Sequence, residues 1–564
     1  MARFSPKVLV LTAVMSFVLL SSWLLSTNFK AKFQNDVSAV VDAAIHLSET
    51  AKAFEGKTVS IAELRAALID TREEYKRIEW LLGYYFPGYA SSHLNGAPLL
   101  QLSKYDTRPL VVPPEGLQVL DEIIFADSSE IDRAEVMILS TKLVDYLQRL
   151  EPNLAQQSFT ERELIEAMRL EVVRIFTLGV TGFDTPGSVN ALQEAQVSLR
   201  AIAENSKHIQ TLESTDVAQL ATKAAAALQG ETFDELDRMA FYKDHLAPLY
   251  REMGGAQPSG ITFIAFGEAA WNPSATDIFS QDFLTPYYYT SLEETEDGNS
   301  LRELGKKLFN DKQLSAQGKM SCATCHQEDL AFTDAKPTAT VATASGSVSR
   351  NSPSLVNAVF ADRYFYDLRA FNLEQQAEHV IFNHAEFSTS YHDILEKLKS
   401  DKEYQNSFKE AFGKSGISVD KLSKALSSYV LSLQSFDSPF ERFMRGETSK
   451  LDPEVRKGFN LFMGKGACGT CHFAPTFSGL VPPLFHHNET EILGVLKSPD
   501  ISSPKLDDDP GRMANGLEVE EAWIFEKSFK TPGLKNVEFT APYFHNGAYP
   551  TLESVIDFYD HGGG

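Results

Sequence analysis

Two short segments, Cys322-Ala-Thr-Cys325-His326 and Cys468-Gly-Thr-Cys471-His472, constrain this chain more than any other feature, because they use all four of its cysteines. Covalent haem attachment needs two thiols spaced to reach the two vinyl groups, with a histidine directly after them to ligate the iron. The pattern supplies that arrangement twice. A thioredoxin-type redox pair expects a βαβ context and gives no reason for the adjacent histidine in both copies. A zinc site would need four ligands brought from two widely separated segments. The chain is therefore read as binding two haem c groups through Cys322, Cys325, Cys468 and Cys471, with His326 and His472 as proximal iron ligands.

The N-terminus explains where such chemistry would be located. Arg3 and Lys7 precede an uncharged run from Val8 to Ser26, and Lys30 and Lys32 follow it. That is an export signal. The run is long enough to span a bilayer and no clear small-x-small cleavage site follows, so residues 1–30 are expected to be a retained anchor; a cleaved peptide and a buried core helix are the alternatives. The net charge of −24 excludes nucleic acid as a partner, since phosphate contacts need clustered Lys and Arg. A basic or strongly dipolar protein fits better.

At 564 residues the chain is too long for one ordinary core. Residues 31–284 read as a helical module with no chemical motif, suited to docking or spacing. Capping boxes mark two helix starts: Ser60 with Glu63, ahead of Leu64, Leu68, Tyr75, Ile78 and Leu82, and Thr160 with Glu163, ahead of Leu164, Met168, Val172 and Ile175. Ala218 to Leu228 is a further helix former, and Tyr105 to Gly116 a loop. Residues 285–300 are expected to be a linker. From there short helical patterns alternate with long loops, giving two cytochrome c-like domains, 301–445 and 446–564. The expected fold is mostly α.

Beyond the haem motifs, several segments carry a resemblance. They are Leu304-Gly305-Lys306-Lys307-Leu308-Phe309-Asn310-Asp311, Ala331-Phe332-Thr333-Asp334, Arg350-Asn351-Ser352-Pro353-Ser354-Leu355 and Leu373-Glu374-Gln375-Gln376-Ala377. In the second half they are Gly464-Lys465-Gly466-Ala467-Cys468, Asp509-Pro510-Gly511-Arg512, Lys530-Thr531-Pro532 and Thr540-Ala541-Pro542-Tyr543-Phe544-His545-Asn546-Gly547. Over residues 301 to 561 the chain resembles the bacterial di-haem cytochrome c peroxidases, with their methylamine-utilisation (MauG-type) relatives.

The resemblance implies a periplasmic enzyme that reduces hydrogen peroxide with electrons from a small cytochrome c or cupredoxin, here tethered to the inner membrane. Gln376 and Glu386 match the distal-pocket pair of the first, peroxidatic haem. A desolvated carboxylate can move a proton between the peroxide oxygens, and an amide can position them; a solvated surface charge is the other reading of Glu386. Asn351, Thr540 and Pro542 match calcium-ligand positions, one side-chain amide oxygen and two backbone carbonyls, which are the hard donors calcium takes. Asn351 could equally cap a turn.

Departures from the family pattern are informative. Phe365-Tyr366-Asp367-Leu368-Arg369 stands where the family has a tryptophan between the haems, so Tyr366 is either an electronic bridge or a packed core tyrosine. His379 and His384 replace the usual Gly-Pro and Asn-Pro residues, and either titrate or ligate near the first haem or face solvent. No His, Met or Cys follows between Gln327 and Asn351, where relatives place a blocking histidine. Tyr559 occupies the position of the second haem's usual methionine, as in MauG-type relatives; His545, His561, Met463 and Met513 are alternative ligands. The chain ends at Gly564 where relatives continue into a final helix, which suggests a truncated C-terminus. The rival functions are a MauG-like oxidase acting on a partner protein and a membrane-bound electron carrier without enzymatic activity.

Overall fold

The computed structural model of the chain describes residues 6–103, 108–256, 269–339, 348–413 and 416–563; of residues 6–28 it describes the helical backbone alone. The expected anchor falls largely on side chains outside that description. Among the described residues no helix is long and apolar enough to cross a membrane.

The fold is mostly α-helical. Among the described residues the only named strands form two antiparallel two-residue ribbons, Gln101–Leu102 with Val111–Val112 and Thr490–Glu491 with Phe529–Lys530. The first ribbon flanks the expected loop, of which residues 104–107 lie outside the described residues.

Helix starts follow the local chemistry that the sequence carries. The hydroxyls of Ser60 and Thr160 accept from the amides of Glu63 and Glu163, whose carboxylates accept from the cap amides in return, opening helices Ile61–Tyr85 and Glu161–Arg174. Each box satisfies two otherwise orphaned backbone donors. The apolar stripes behind them are buried, Leu64, Leu68, Tyr75, Ile78 and Leu82 in one and Leu164, Met168 and Val172 in the other. Helix Val217–Ala227 matches the alanine-rich stretch.

An ionic cluster sits where these helices meet, and it was not legible as a stripe. Arg72 is paired with Glu194 at 2.6 Å, and Lys76 with Glu79 at 2.8 Å and Asp184 at 2.7 Å, all buried. Arg174 pairs with Glu79 at 2.5 Å and with Asp184. Burial and the Glu79 charge push the nearby Glu171 carboxyl up, against the pull of Arg174 at 3.7 Å.

The expected linker is packed rather than loose. Tyr289 is buried and donates its hydroxyl to the Phe485 carbonyl at 2.6 Å. Thr290 donates to Glu374 at 2.6 Å, and Asp297 accepts from Tyr287, Arg302 and Ser428. An aromatic and acidic composition that looks like a spacer in sequence here finds partners on both sides. One body of buried apolar residues accordingly runs from Phe29 to Phe485, with a small second cluster of Val495, Tyr549 and Phe558. In the middle of it, helix Asn299–Asn310 crosses Val419–Leu431 so closely that a Cβ on Gly305 would collide with the Ala425 carbonyl.

Candidate functional site

Each Cys-x-x-Cys-His segment forms the same tight turn. The amides of Cys325 and His326 both donate to the Cys322 carbonyl, at 3.2 and 2.9 Å, and those of Cys471 and His472 to the Cys468 carbonyl, at 3.3 and 2.9 Å. None of the four cysteines is in a disulfide. Burial pushes Cys322 and Cys471 up to about 12 and Cys325 to about 11. Thiols held neutral in this way are poor redox nucleophiles, which disfavours the thioredoxin alternative.

The histidines are held by one ring nitrogen. Nδ1 of His326 donates to the Phe332 carbonyl at 3.0 Å, and the Pro353 carbonyl acts on the same ring. Nδ1 of His472 faces the Phe477 carbonyl at 3.2 Å and the Pro532 carbonyl at 3.1 Å. Burial lowers both imidazoles, His472 to about 4. A neutral ring whose Nδ1–H is taken by backbone offers Nε2 as a metal donor, the usual outer-sphere device behind a metal-bound histidine. The residues present therefore fit a haem at each motif.

Pro353 and Pro532 belong to a repeat that reading the motifs singly had missed. Ser352-Pro353-Ser354-Leu355-Val356-Asn357-Ala358-Val359-Phe360 returns as Thr531-Pro532-Gly533-Leu534-Lys535-Asn536-Val537-Glu538-Phe539. Asn357 and Asn536 share a left-handed conformation, with φ of 59° and 61°. Next come the bridges Tyr364 to Ala370 and Tyr543 to Tyr549, and then helices Leu373–Phe382 and Leu552–Asp560, capped by Asn372 and Thr551. A Pro-x-Leu-x-Asn-x-x-Phe search would have found it. The repeat sets Tyr366 against His545, and Val380 against Tyr559.

Around the first motif, Gln376 is half-buried on helix Leu373–Phe382, and Glu386 follows in the turn after it. Glu386 is not a solvated helix charge. Burial raises its pKa, Asn383 donates to its Oε2 at 2.7 Å, and Arg369 acts on it from nearby. Its charge is felt by both Cys322 and Cys325, which puts the carboxylate beside the motif. An open cleft of about 480 Å³ is lined by Arg369, Gln375, Glu378, His379, Phe382 and Asn383, so Asn383 joins cleft and carboxylate. His379 is exposed, edge-on to Phe365 at 5.8 Å, and His384 is exposed beside Ser388.

Around the second motif, the phenol of Tyr559 is pushed up by burial and by the neighbouring Cys471, Cys468 and Glu491, although the residue is 46% exposed. The alternative ligands are placed differently. His545 is buried, stacked on Phe529 at 3.6 Å, with its Nε2 on Asp507 at 3.2 Å. Met463 is buried against Gly469, and His561 has its Nδ1 on the Asp557 carbonyl at 2.7 Å. Met513 lies in the short helix Arg512–Ala514.

The two halves are joined by motif residues to which sequence reasoning had given no role. Arg350 makes a two-pronged pair with Asp509, at 2.7 and 2.8 Å, and reaches Asp367 at 2.5 Å. Arg512, Arg363 and Asn515 converge on Glu520. Between them, the Tyr366 carbonyl accepts from the Lys530 amide at 2.7 Å, and burial pushes the Tyr366 phenol up. The Asn351 backbone N–H likewise donates to the His545 carbonyl at 2.7 Å, bringing Asn351 to the loop that carries Thr540 and Pro542; its side-chain amide nitrogen donates to the Lys336 carbonyl at 2.8 Å.

The helical module packs onto the second motif. Phe183 meets Phe473, next to His472, edge-to-face at 5.5 Å, and Gly469 packs against Thr181. Phe279 stacks near Phe477 at 6.4 Å.

Comparison with known proteins bears on the family, and by residue range on the first motif. Residues 299–449 match the family model described as di-haem cytochrome c peroxidase. The cytochrome c551 peroxidase of Pseudomonas aeruginosa is 35% identical over 273 residues, 48% of this chain and 75% of that protein. The methylamine utilization protein MauG of Methylorubrum extorquens is 32% identical over 261 residues, 46% of this chain and 68% of that protein. Among solved structures, a MauG-like protein associated with microbial copper homeostasis aligns at 27% identity over 48% of this chain and 78% of its own, with a TM-score of 0.41.

Proposed function

This chain belongs to the di-haem cytochrome c peroxidase family, and from that premise we propose that it reduces hydrogen peroxide to water at the first motif with electrons received through the second. The chain is an oxidoreductase of a di-haem family. Bound at the two motifs, haem supplies the iron at which the peroxide bond is broken and a second centre that passes electrons. What the polypeptide contributes is proton handling and position. In this reading His326 and His472 hold the two irons from one side through Nε2. The turnover H2O2 + 2e⁻ + 2H⁺ → 2H2O needs a group that takes a proton from one peroxide oxygen and gives it to the other. Glu386 is that group. Its partly desolvated carboxylate beside Cys322 and Cys325 is the observation that carries the proposal, and such a base contributes about 10²–10⁴ to rate. Gln376 positions the peroxide from the preceding helix. Tyr366 lies on the path between the halves.

The finer assignments belong to the same proposal. Residues 31–284 form the helical module, 301–445 the peroxidatic half and 446–564 the electron-receiving half. The donor is a small periplasmic cytochrome or cupredoxin whose basic or dipolar face meets a chain of net charge −24. Residues 1–30 tether the enzyme to the inner membrane. A calcium ion held by the Asn351 side-chain oxygen and the Thr540 and Pro542 carbonyls stiffens the junction between halves; the donation from the Asn351 amide nitrogen leaves its oxygen for that role.

The MauG-like alternative draws on Tyr559, which stands near Cys468 and Cys471. The test is peroxide consumption with a reduced small cytochrome. Rapid donor oxidation supports the proposal; oxidation of an aromatic residue on a partner protein without it selects the alternative, and neither leaves an electron carrier.

A further inference from the structure

Arg238 is wholly buried, at 0% exposure, yet no carboxylate among the described residues forms an ion pair with it. Its Nε donates to the Val180 carbonyl at 2.7 Å, Nη1 to Leu236 at 3.3 Å and Nη2 to Phe233 at 2.7 Å, and the Phe233 ring lies 4.5 Å beneath it. These partners satisfy its hydrogen bonds without cancelling its charge, and the carboxylate that acts on it, Asp234, is exposed and makes no ion pair with it. Buried Arg72 and Arg174, by contrast, face carboxylates directly. Burying an unpaired cation is costly, and arginine keeps its proton even then.

Its position is as unusual as its pairing. The guanidinium presses on the backbone of Gly464, where a Cβ would collide with it. Gly464 opens the turn, closed by the Ala467 amide on the Gly464 carbonyl at 2.8 Å, that delivers Cys468. Neighbouring contacts fix the placement. The Met239 amide donates to Asn460 at 3.2 Å, and Asp237 accepts from Asn460 at 3.0 Å and from Arg456 at 2.6 Å. The helical module therefore carries a full positive charge to the edge of the second motif, in surroundings that screen it poorly.

We propose that Arg238 is a positioning residue for electron transfer: its charge, buried without an ion pair against Gly464, raises the reduction potential of the haem held by Cys468, Cys471 and His472, so that an electron arriving from the donor is retained there. The proposal rests on the reading that this motif carries a haem. Reduction adds one electron and one negative charge to that centre and changes no bond in the polypeptide; a nearby cation favours the reduced form. Arg238 touches the second motif alone; the cations that act around the first, Arg369 and Lys336, come from the haem region itself. Arg169 supplies the control. It is equally buried and held by the Pro273 and Ala275 carbonyls and the Tyr250 ring, within the helical module.

The experiment is a spectroelectrochemical titration of the full-length holoprotein, with haem content measured on each variant. Arg238→Met should lower the equilibrium constant for reducing the second haem by about tenfold, which is 59 mV for one electron, and leave the first haem in place. Arg169→Met should move neither. An unchanged second potential in Arg238→Met, with two haems bound, overturns the proposal. If that variant does not fold, Arg238→Lys decides: a buried lysine loses its proton as pH rises, so the second potential should fall with alkaline pH, and a potential independent of pH overturns the idea. A wild-type protein with one haem would instead overturn the underlying assignment.

Discussion

The two halves of the haem region hold their histidines alike and furnish the opposite side differently. In both, a proline carbonyl and a phenylalanine carbonyl meet Nδ1, a left-handed asparagine follows, and a capped helix returns over the motif. In the first half that helix leads to Glu386, Asn383 and an open cleft. In the second it carries Tyr559 where the first has Val380, and the module covers the motif with Thr181, Phe183 and Arg238. On the proposed function, one backbone solution serves two tasks. Proton chemistry needs a carboxylate and access to solvent, whereas electron storage needs a controlled charge and exclusion of competing ligands.

The sharpest way to break this contrast is Glu386→Gln. The amide keeps the shape and loses the base, so peroxide turnover should fall by about 10²–10⁴, with the second haem's spectrum unaltered. Unchanged turnover with both haems bound would remove Glu386 from the mechanism. The pH dependence has a definite sign. Burial raises the Glu386 pKa above its ordinary 4.5, and the base form is required, so activity should be lost on acidification at a pH above the ordinary glutamate range. The same shift adds stability that is present at low pH and disappears as pH rises through the raised value.

Next in size is the link that makes the halves one unit. Arg350→Ala leaves Asp509 without its guanidinium and Asp367 with Arg369 alone in a largely buried junction, a loss of about 3 kcal/mol. Denaturant unfolding should show the two haem environments separating into distinct transitions. A single transition at the wild-type midpoint would mean that the halves are held by apolar contact alone.

These residues also show what the sequence could and could not reveal. The haem motifs, the Ser60 and Thr160 caps and their buried stripes were legible because each depends on a few residues at fixed local spacing. Arg350 and Asp509 stood in recognisable motifs, but they lie 159 residues apart, and no local rule pairs them. The module's grip on the second motif was hidden for the same reason: Phe183 and Phe473 are ordinary core aromatics until the fold brings them together. Glu386 taken alone reads as a surface charge; only the motif around it points to the distal pocket, and its partial desolvation depends on contacts no local spacing shows.

Phe183→Ala tests that grip with a smaller effect. Removing a half-buried ring that meets Phe473 edge-to-face should cost about 2 kcal/mol. The disturbance should be local, altering the second haem's EPR signal and leaving the first unchanged. Equal changes at both haems would argue that the module supports the whole region rather than one motif.

The smallest expected effect, and the most discriminating, is that of Tyr559→Phe. The proposal is that Tyr559 ligates the second iron through its phenolate oxygen. Burial and the neighbouring Cys471, Cys468 and Glu491 push the phenol's pKa up in the polypeptide, which opposes ionisation. A ferric ion reverses that balance, because a bound cation is the largest local charge and stabilises the anionic ligand. The internal repeat supports the placement, since Tyr559 occupies the position of Val380 on the equivalent helix. His545 is the weaker rival, with its Nε2 already engaged by Asp507. An anionic oxygen ligand favours the ferric state, and so lowers the potential that Arg238 would raise; the two residues would act in opposite senses on one centre. Replacing the phenol should therefore raise the second haem's potential and change its optical spectrum, with fold and peroxide binding at the first haem intact. An unchanged spectrum and potential would rule out the ligand role and weaken the MauG-like alternative, leaving the contrast between the halves to rest on Glu386, the cleft and the module's cover.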